Sequence, residues 1–152
     1  MKTKRATSPA ETERIGYELG LLLKDEPHVV ILLQGDLGAG KTTLAKGIAR
    51  GVGIKEIVNS PTFVIMKRYV TPDGFRYFYH LDLYRLDSLG GDFDLEEYVE
   101  GDGVVVIEWP MNVEELLPRD HLLVKIDVVG DDVRDISLEC VGYPCKRAVE
   151  AI

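Results

Sequence analysis

The stretch Gly35-Asp36-Leu37-Gly38-Ala39-Gly40-Lys41-Thr42 joins the apolar run Val29-Val30-Ile31-Leu32-Leu33 to a segment that begins Thr43-Leu44-Ala45-Lys46-Gly47-Ile48-Ala49. It satisfies G-x-x-x-x-G-K-[ST], the pattern of a phosphate-binding loop set between a strand and a helix. A polyphosphate requires several donors at short range, and backbone N–H groups reach it only where side chains do not intervene. The glycines at 35, 38 and 40, together with Ala39, clear that approach and let successive N–H groups turn inward as an anion nest. Lys41 adds a movable positive charge for the outer phosphates. Thr42 opens the following helix, whose N-terminal N–H groups and dipole favour anions, and its hydroxyl is placed to bind Mg²⁺. Leu44, Ile48 and Val52 recur at helical spacing and give that helix a core-facing side. Nucleotide binding is therefore expected through Asp36, Leu37, Gly38, Ala39, Gly40, Lys41, Thr42 and Thr43.

The rest of the composition limits what such a loop serves. A chain of 152 residues, 45% of them hydrophobic, can bury a core of its own, and one domain over 1–152 is expected. No apolar run approaches a membrane span. The basic start, Met1-Lys2-Thr3-Lys4-Arg5-Ala6-Thr7, leads into no apolar segment of a secretory signal, so a cytoplasmic protein without a membrane partner is expected. Cys140 and Cys145 have no second pair to complete a zinc site and are read as two reduced thiols. A net charge of −8 repels the phosphate backbone, so any link to nucleic acid should run through a partner.

Along the chain, Ser8-Pro9-Ala10-Glu11 reads as a helix start, with Ser8 as N-cap, Pro9 at the first helical position and Glu11 closing a capping box. The helix should reach about Lys24 and bury Ile15, Leu19, Leu22 and Leu23. His28 to Leu33 is the strand that feeds the loop, and Gly51-Val52-Gly53 stops the loop helix. Ile54 to Val58 can lead to a short strand or a turn. Asn59-Ser60-Pro61-Thr62-Phe63 fits either a plain proline turn before a strand or an expected mobile segment that offers the Thr62 hydroxyl. Phe63 to Val70 and Phe75 to Leu86 flank Thr71-Pro72-Asp73-Gly74 as a hairpin, which breaks strict strand-helix alternation and predicts a mixed sheet. On its second strand His80, Asp82 and Tyr84 share one face by two-residue alternation, which is either a solvated face or one that makes Asp82 a catalytic candidate.

Phe93 to Val99 and Val113 to Leu117 read as short helices. Between them Val104-Val105-Val106-Ile107-Glu108 is a buried strand ending on an acid, and Trp109-Pro110 leaves it. In phosphate-loop proteins a strand beside the loop strand often ends in a carboxylate that holds Mg²⁺ or polarises the attacking water, which is the role expected of Glu108. Leu122 to Val129 and Val133 to Glu139 form a second hairpin around Gly130-Asp131-Asp132.

Four blocks in this order, Gly35 to Leu44, Asn59 to Phe63, His80-Leu81-Asp82-Leu83-Tyr84-Arg85-Leu86 and Ile107-Glu108-Trp109-Pro110, closely resemble the TsaE family. Its members are bacterial ATPases of tRNA threonylcarbamoyladenosine biosynthesis. The resemblance implies a phosphate-loop NTPase-like, three-layer αβα sandwich around a mixed, partly parallel sheet with antiparallel hairpins. It implies ATP and Mg²⁺ as ligands, with Thr42 and Glu108 on the metal and Lys41, Asp82, Glu108 and Thr62 in the catalytic set. From position in the family pattern, Ser8 and Arg134 join the nucleotide contacts. TsaD and TsaB are the implied protein partners, with tRNA reached only through them.

Two other functions fit a phosphate loop. A small-molecule kinase needs an acceptor pocket and a basic lid, whereas Arg76, Arg85, Arg119 and Arg134 are scattered. A nucleotide-dependent switch needs no essential hydrolysis, only a segment such as Ser60 to Phe63 that ATP orders.

Overall fold

The computed structural model describes residues 1–36, 38–56, 58, 66–74, 76–82, 103–108, 120–142 and 145–152. Within them the chain runs β1 (Lys2–Ala6), α1 (Pro9–Leu23), β2 (His28–Gly35), α2 (Lys41–Val52), β3 (Met66–Val70), β4 (Tyr77–Asp82), β5 (Gly103–Glu108), β6 (His121–Val128), β7 (Arg134–Val141) and α3 (Lys146–Ala151). The strands form one sheet in the order β1-β7-β6-β2-β5-β4-β3. β4, β5, β2 and β6 are mutually parallel, while β3, β7 and β1 pair antiparallel at the two sides. The mixed sheet with a parallel centre and two hairpins is thus the architecture that the loop and the turn residues led one to expect.

Central parallel strands are covered on both faces, so β2 and β5 read as continuous apolar runs rather than alternating ones. Val29, Ile31 and Leu33 of β2 and Val104 and Val106 of β5 pack in one cluster with Leu44, Ala45, Ile48 and Ala49 of α2. The alternate residues Val30, Leu32, Val105 and Ile107 are buried to the same depth. The expected helices at 93–99 and 113–117 lie outside the described residues. The 54–58 stretch forms no strand over its described residues, and Ile54 and Val58 are anchored in the core cluster instead.

α1 starts as its residues dictate. Ser8 Oγ accepts the Glu11 N–H at 3.1 Å, Pro9 takes the first turn, and the Glu11 carboxylate reaches back to the Thr7 N–H at 2.7 Å. Hydrogen bonding from Thr7, with a smaller contribution from the nearby Arg14 charge, holds the Glu11 carboxyl below its ordinary range. Its buried side is Thr12, Ile15, Gly16, Leu19, Gly20 and Leu23. Leu22, expected inside, is 41% exposed. The reason is the packing against α2, where Gly16 and Gly20 of α1 meet Gly47 and Gly51 of α2 and set the line of closest approach. A Cβ at any of the four would run into the other helix's backbone: Leu44 O for Gly16, Ile48 O for Gly20, Glu13 O for Gly47 and Tyr17 O for Gly51.

Two elements were not anticipated. β1 adds to the sheet edge beside β7, and α3 docks with Ala148 buried while Lys4 Nζ donates to Ile152 O at 2.9 Å. The expectation of two reduced thiols is overturned, because Cys140 and Cys145 form a disulfide. After Cys140 the chain turns through Gly142, at φ 80°, which brings the two Cα atoms to 5.6 Å, a spacing that a disulfide bridges without backbone movement. Closing so short a loop stabilises by at most about 2 kcal/mol. Cys145→Ser, or reduction, is expected to lower Tm by no more than about 4–8 °C in calorimetry and to speed amide exchange first in α3.

Candidate functional site

The loop is built at the carboxyl ends of the parallel strands. Gly35 closes β2, where a side chain would come within 2.8 Å of Ile126 O and 3.2 Å of Ala39 Cβ. The chain then turns with Ala39 N–H on Asp36 O at 3.0 Å, and Gly38 and Gly40 take φ values of 82° and 108° that disfavour other residues. A Cβ on Gly38 would meet nothing within 4 Å among the described residues, so none of them blocks the approach of a ligand to the backbone there. Gly40 caps α2 and, having no side chain, makes no side-chain hydrogen bond to the helix's first turn, whose N–H groups and dipole favour anions. These features fit the expected phosphate nest.

Lys41 is buried in the first turn of α2, and its Nζ donates to Gly35 O at 2.7 Å and Asp36 O at 3.0 Å. Burial pulls its pKa below the ordinary lysine value, against the opposing charges of Glu108, Asp82 and Asp36. Glu108 and Asp82 arrive from two different strands, β5 and β4, whereas Asp36 lies in the loop itself. Parallel pairing sets Leu33 of β2 opposite Glu108 of β5, and Glu108 opposite Asp82 of β4. Adjacent strands lie about 4.8 Å apart, so the register alone places these two acids beside each other at the mouth of the loop. Both are buried. Thr42 Oγ1 donates to Glu108 Oε1 at 3.4 Å. His80, fully buried two residues before Asp82, approaches the other oxygen, Glu108 Oε2, at 2.7 Å.

On the other side of the loop a cleft of about 160 Å³ is lined by Pro9, Thr12, Gly38, Ala39, Gly40, Thr43, Asp132 and Arg134. Arg134 donates from Nε to Ala39 O at 2.9 Å and from Nη1 to the carbonyls of Gly130, Asp131 and Val133, tying the loop to the β6–β7 turn. Of the two residues proposed from position, Arg134 lines the cleft. Ser8 is engaged as a helix cap, and Pro9 and Thr12 form the wall from that helix. Their spacing of three on the first turn of α1 was the available signal. Leu37 and Thr62 lie outside the described residues, as do the rest of the 59–65 segment and Trp109. His80 was visible in the sequence only as a neighbour of Asp82 on a face that admitted a solvated reading, which its burial rules out.

Among the described residues no group of three or more His, Cys, Asp and Glu side chains is placed to hold a metal. A Mg²⁺ ion keeps several waters and binds through one or two protein oxygens plus substrate phosphates. Thr42 Oγ1 and Glu108 Oε1 supply such a pair.

Comparison with known proteins bears on the whole of this arrangement. Residues 6–136 match the family described as Threonylcarbamoyl adenosine biosynthesis protein TsaE. The chain belongs to the TsaE family. Among TsaE relatives, the tRNA threonylcarbamoyladenosine biosynthesis protein TsaE of Bacillus subtilis (strain 168) is 46% identical over 148 residues, 97% of this chain and 91% of that protein. The TsaE of Treponema pallidum (strain Nichols) is 42% identical over 133 residues, 86% of this chain and 95% of that protein. The crystal structure of Bacillus subtilis YdiB superposes with a TM-score of 0.81 at 38% identity, over 99% of this chain and 92% of that chain. TsaE membership therefore holds at the level of fold as well as sequence.

Proposed function

We propose that this TsaE-family chain is a Mg²⁺-dependent ATPase that supports turnover of a TsaB–TsaD complex in tRNA threonylcarbamoyladenosine biosynthesis. The observation that carries the reading is the convergence of Lys41, Thr42, Asp82 and Glu108 at the ends of β2, β4 and β5, next to an open anion nest. Family membership supports the role in the modification, and the net charge of −8 favours tRNA being held by the partners. No described helix is long and apolar enough to cross a membrane, and the tRNA-linked role favours a cytoplasmic setting.

In this mechanism Lys41 leaves the Gly35 and Asp36 carbonyls for the outer phosphates and, with the loop N–H groups, stabilises charge on the transferred phosphoryl group. Mg²⁺, when bound by Thr42 and Glu108, would neutralise charge on the phosphate oxygens. Asp82, set beside Glu108 at the mouth of the loop by the strand register, orients the attacking water and accepts its proton. The cleft beside Arg134 and Thr12 receives the remainder of the nucleotide. Burial around the carboxylates keeps bulk water from this chemistry.

The deciding experiment mixes the purified protein with TsaB and TsaD and follows ATP hydrolysis against a Lys41→Ala control. Hydrolysis no greater than that of the control would sink the proposal. Asp82→Asn is expected to bind ATP within a few-fold of the unaltered protein and to turn it over about 100-fold more slowly, read by single-turnover phosphate release.

A further inference from the structure

We propose that His80 is a positioning residue for Glu108, fixing which carboxylate oxygen faces Thr42. The inference rests on the assignment of Glu108 to Mg²⁺ above. A carboxylate accepts but does not donate, so the 2.7 Å contact means that the hydrogen lies on His80 Nε2 and points at Glu108 Oε2. The other ring nitrogen, Nδ1, is buried with no hydrogen-bond partner among the described residues. His80 is 0% exposed, so the imidazole is desolvated, and among the described residues its polar contact is with this one carboxylate oxygen. Burying an imidazole for packing alone leaves both nitrogens uncompensated, a cost that an apolar residue in the same place avoids.

The geometry explains the two-residue spacing of His80 and Asp82. Alternation puts both on the face of β4 that Phe78 commits to the α2 side of the sheet. Parallel register sets His80 opposite Val106 and Asp82 opposite Glu108, so the histidine sits one step deeper than the carboxylates. From there it reaches up and across to the back of Glu108, while Asp82 stays at the mouth. Glu108 has rotatable bonds that would otherwise let its carboxylate turn. With Oε2 held by His80, Oε1 is the oxygen presented to Thr42 and to the phosphate side. Partners of this kind, behind a metal-binding group, typically change metal affinity by 10–100-fold.

The test is nucleotide binding, followed with a fluorescent ATP analogue, as a function of Mg²⁺ and in EDTA. His80→Leu, which fills the space without a donor, is expected to raise the Mg²⁺ concentration for half-maximal binding at least ten-fold while affinity in EDTA stays within two-fold. His80→Gln, whose amide N–H can occupy the Nε2 position, is expected to recover most of that loss. His80→Leu on a Glu108→Gln background is expected to add less than two-fold to the effect of Glu108→Gln. An unchanged Mg²⁺ response in His80→Leu overturns the proposal, as does a His80→Gln protein that is folded and no better than His80→Leu. If Glu108→Gln alone leaves the Mg²⁺ response unmoved, the assignment of Glu108 falls, and this inference falls with it. Loss of hydrolysis in every variant with normal Mg²⁺ responses also counts against it.

Discussion

Lys41→Ala is expected to reduce ATP turnover about 1000-fold, the upper end of what one preorganised electrostatic group contributes. Lys41→Met, which keeps the stem and removes the ammonium, should lose as much and thereby isolate the charge. Loss of fold does not explain such a result, because the buried ammonium is itself a burden on the native state. Its pKa is lowered in the folded protein, chiefly by burial, although Glu108, Asp82 and Asp36 oppose the shift. Between that lowered value and the ordinary value of 10.5 the unfolded chain holds more protons than the native one, so stability rises with pH across this window. Below the window the penalty is present in full. Lys41→Met is therefore expected to be at least as stable as the unaltered protein at neutral pH, with the advantage shrinking as pH climbs toward the ordinary lysine range. Denaturant titrations at neutral and high pH measure this, and a Lys41→Met protein that unfolds more readily at pH 7 would contradict it.

Gly47→Ala should produce the largest loss of stability. In an isolated helix the change is favourable by about 1 kcal/mol, so propensity predicts the opposite sign. Here the added Cβ would collide with Glu13 O on α1, and backbone cannot be moved by a rotamer change. Forcing the helices apart costs about 3 kcal/mol, equivalent to a fall in Tm of about 6–12 °C. Function should suffer too, because α2 carries Lys41 and Thr42 on its first turn and α1 carries Thr12 on the cleft. Thermal melts of Gly47→Ala, Gly51→Ala and the exposed control Leu22→Ala decide it. Equal melting temperatures for all three would mean that the close approach is unimportant.

What the amino-acid pattern disclosed, and what it hid, follows from how local each signal was. The phosphate loop, β2, β5 and both hairpins rest on glycine placement, turn residues and short apolar runs, which act within a few neighbours. Glu108 was legible because an acid ending an apolar strand is informative once the loop is known. The burial of His80 was not, because alternation gives a face but not what covers it. β1 reads as a polar basic segment, and its strand conformation comes from pairing Lys2 with Leu138 and Ala6 with Arg134, far away in the chain. Leu22 was misplaced because the inward side of α1 is centred on glycines, which carry no hydrophobic signal. The disulfide depended on a turn through Gly142 that spacing alone does not specify.

The order in which strands enter the sheet governs when the nucleotide site exists during synthesis. β2 carries the whole glycine motif at its end by residue 42, yet its two neighbours in the sheet are β5 and β6. A nascent chain emerging from the ribosome therefore displays the motif well before it has Glu108 to face Thr42, or Arg134 to brace Ala39. Until then β2 has two bare edges, an arrangement prone to misassociation. ATP is therefore not expected to act as an early template for this fold, and a fragment ending near residue 56 is expected to bind nucleotide far more weakly than the whole chain despite containing every residue of the motif.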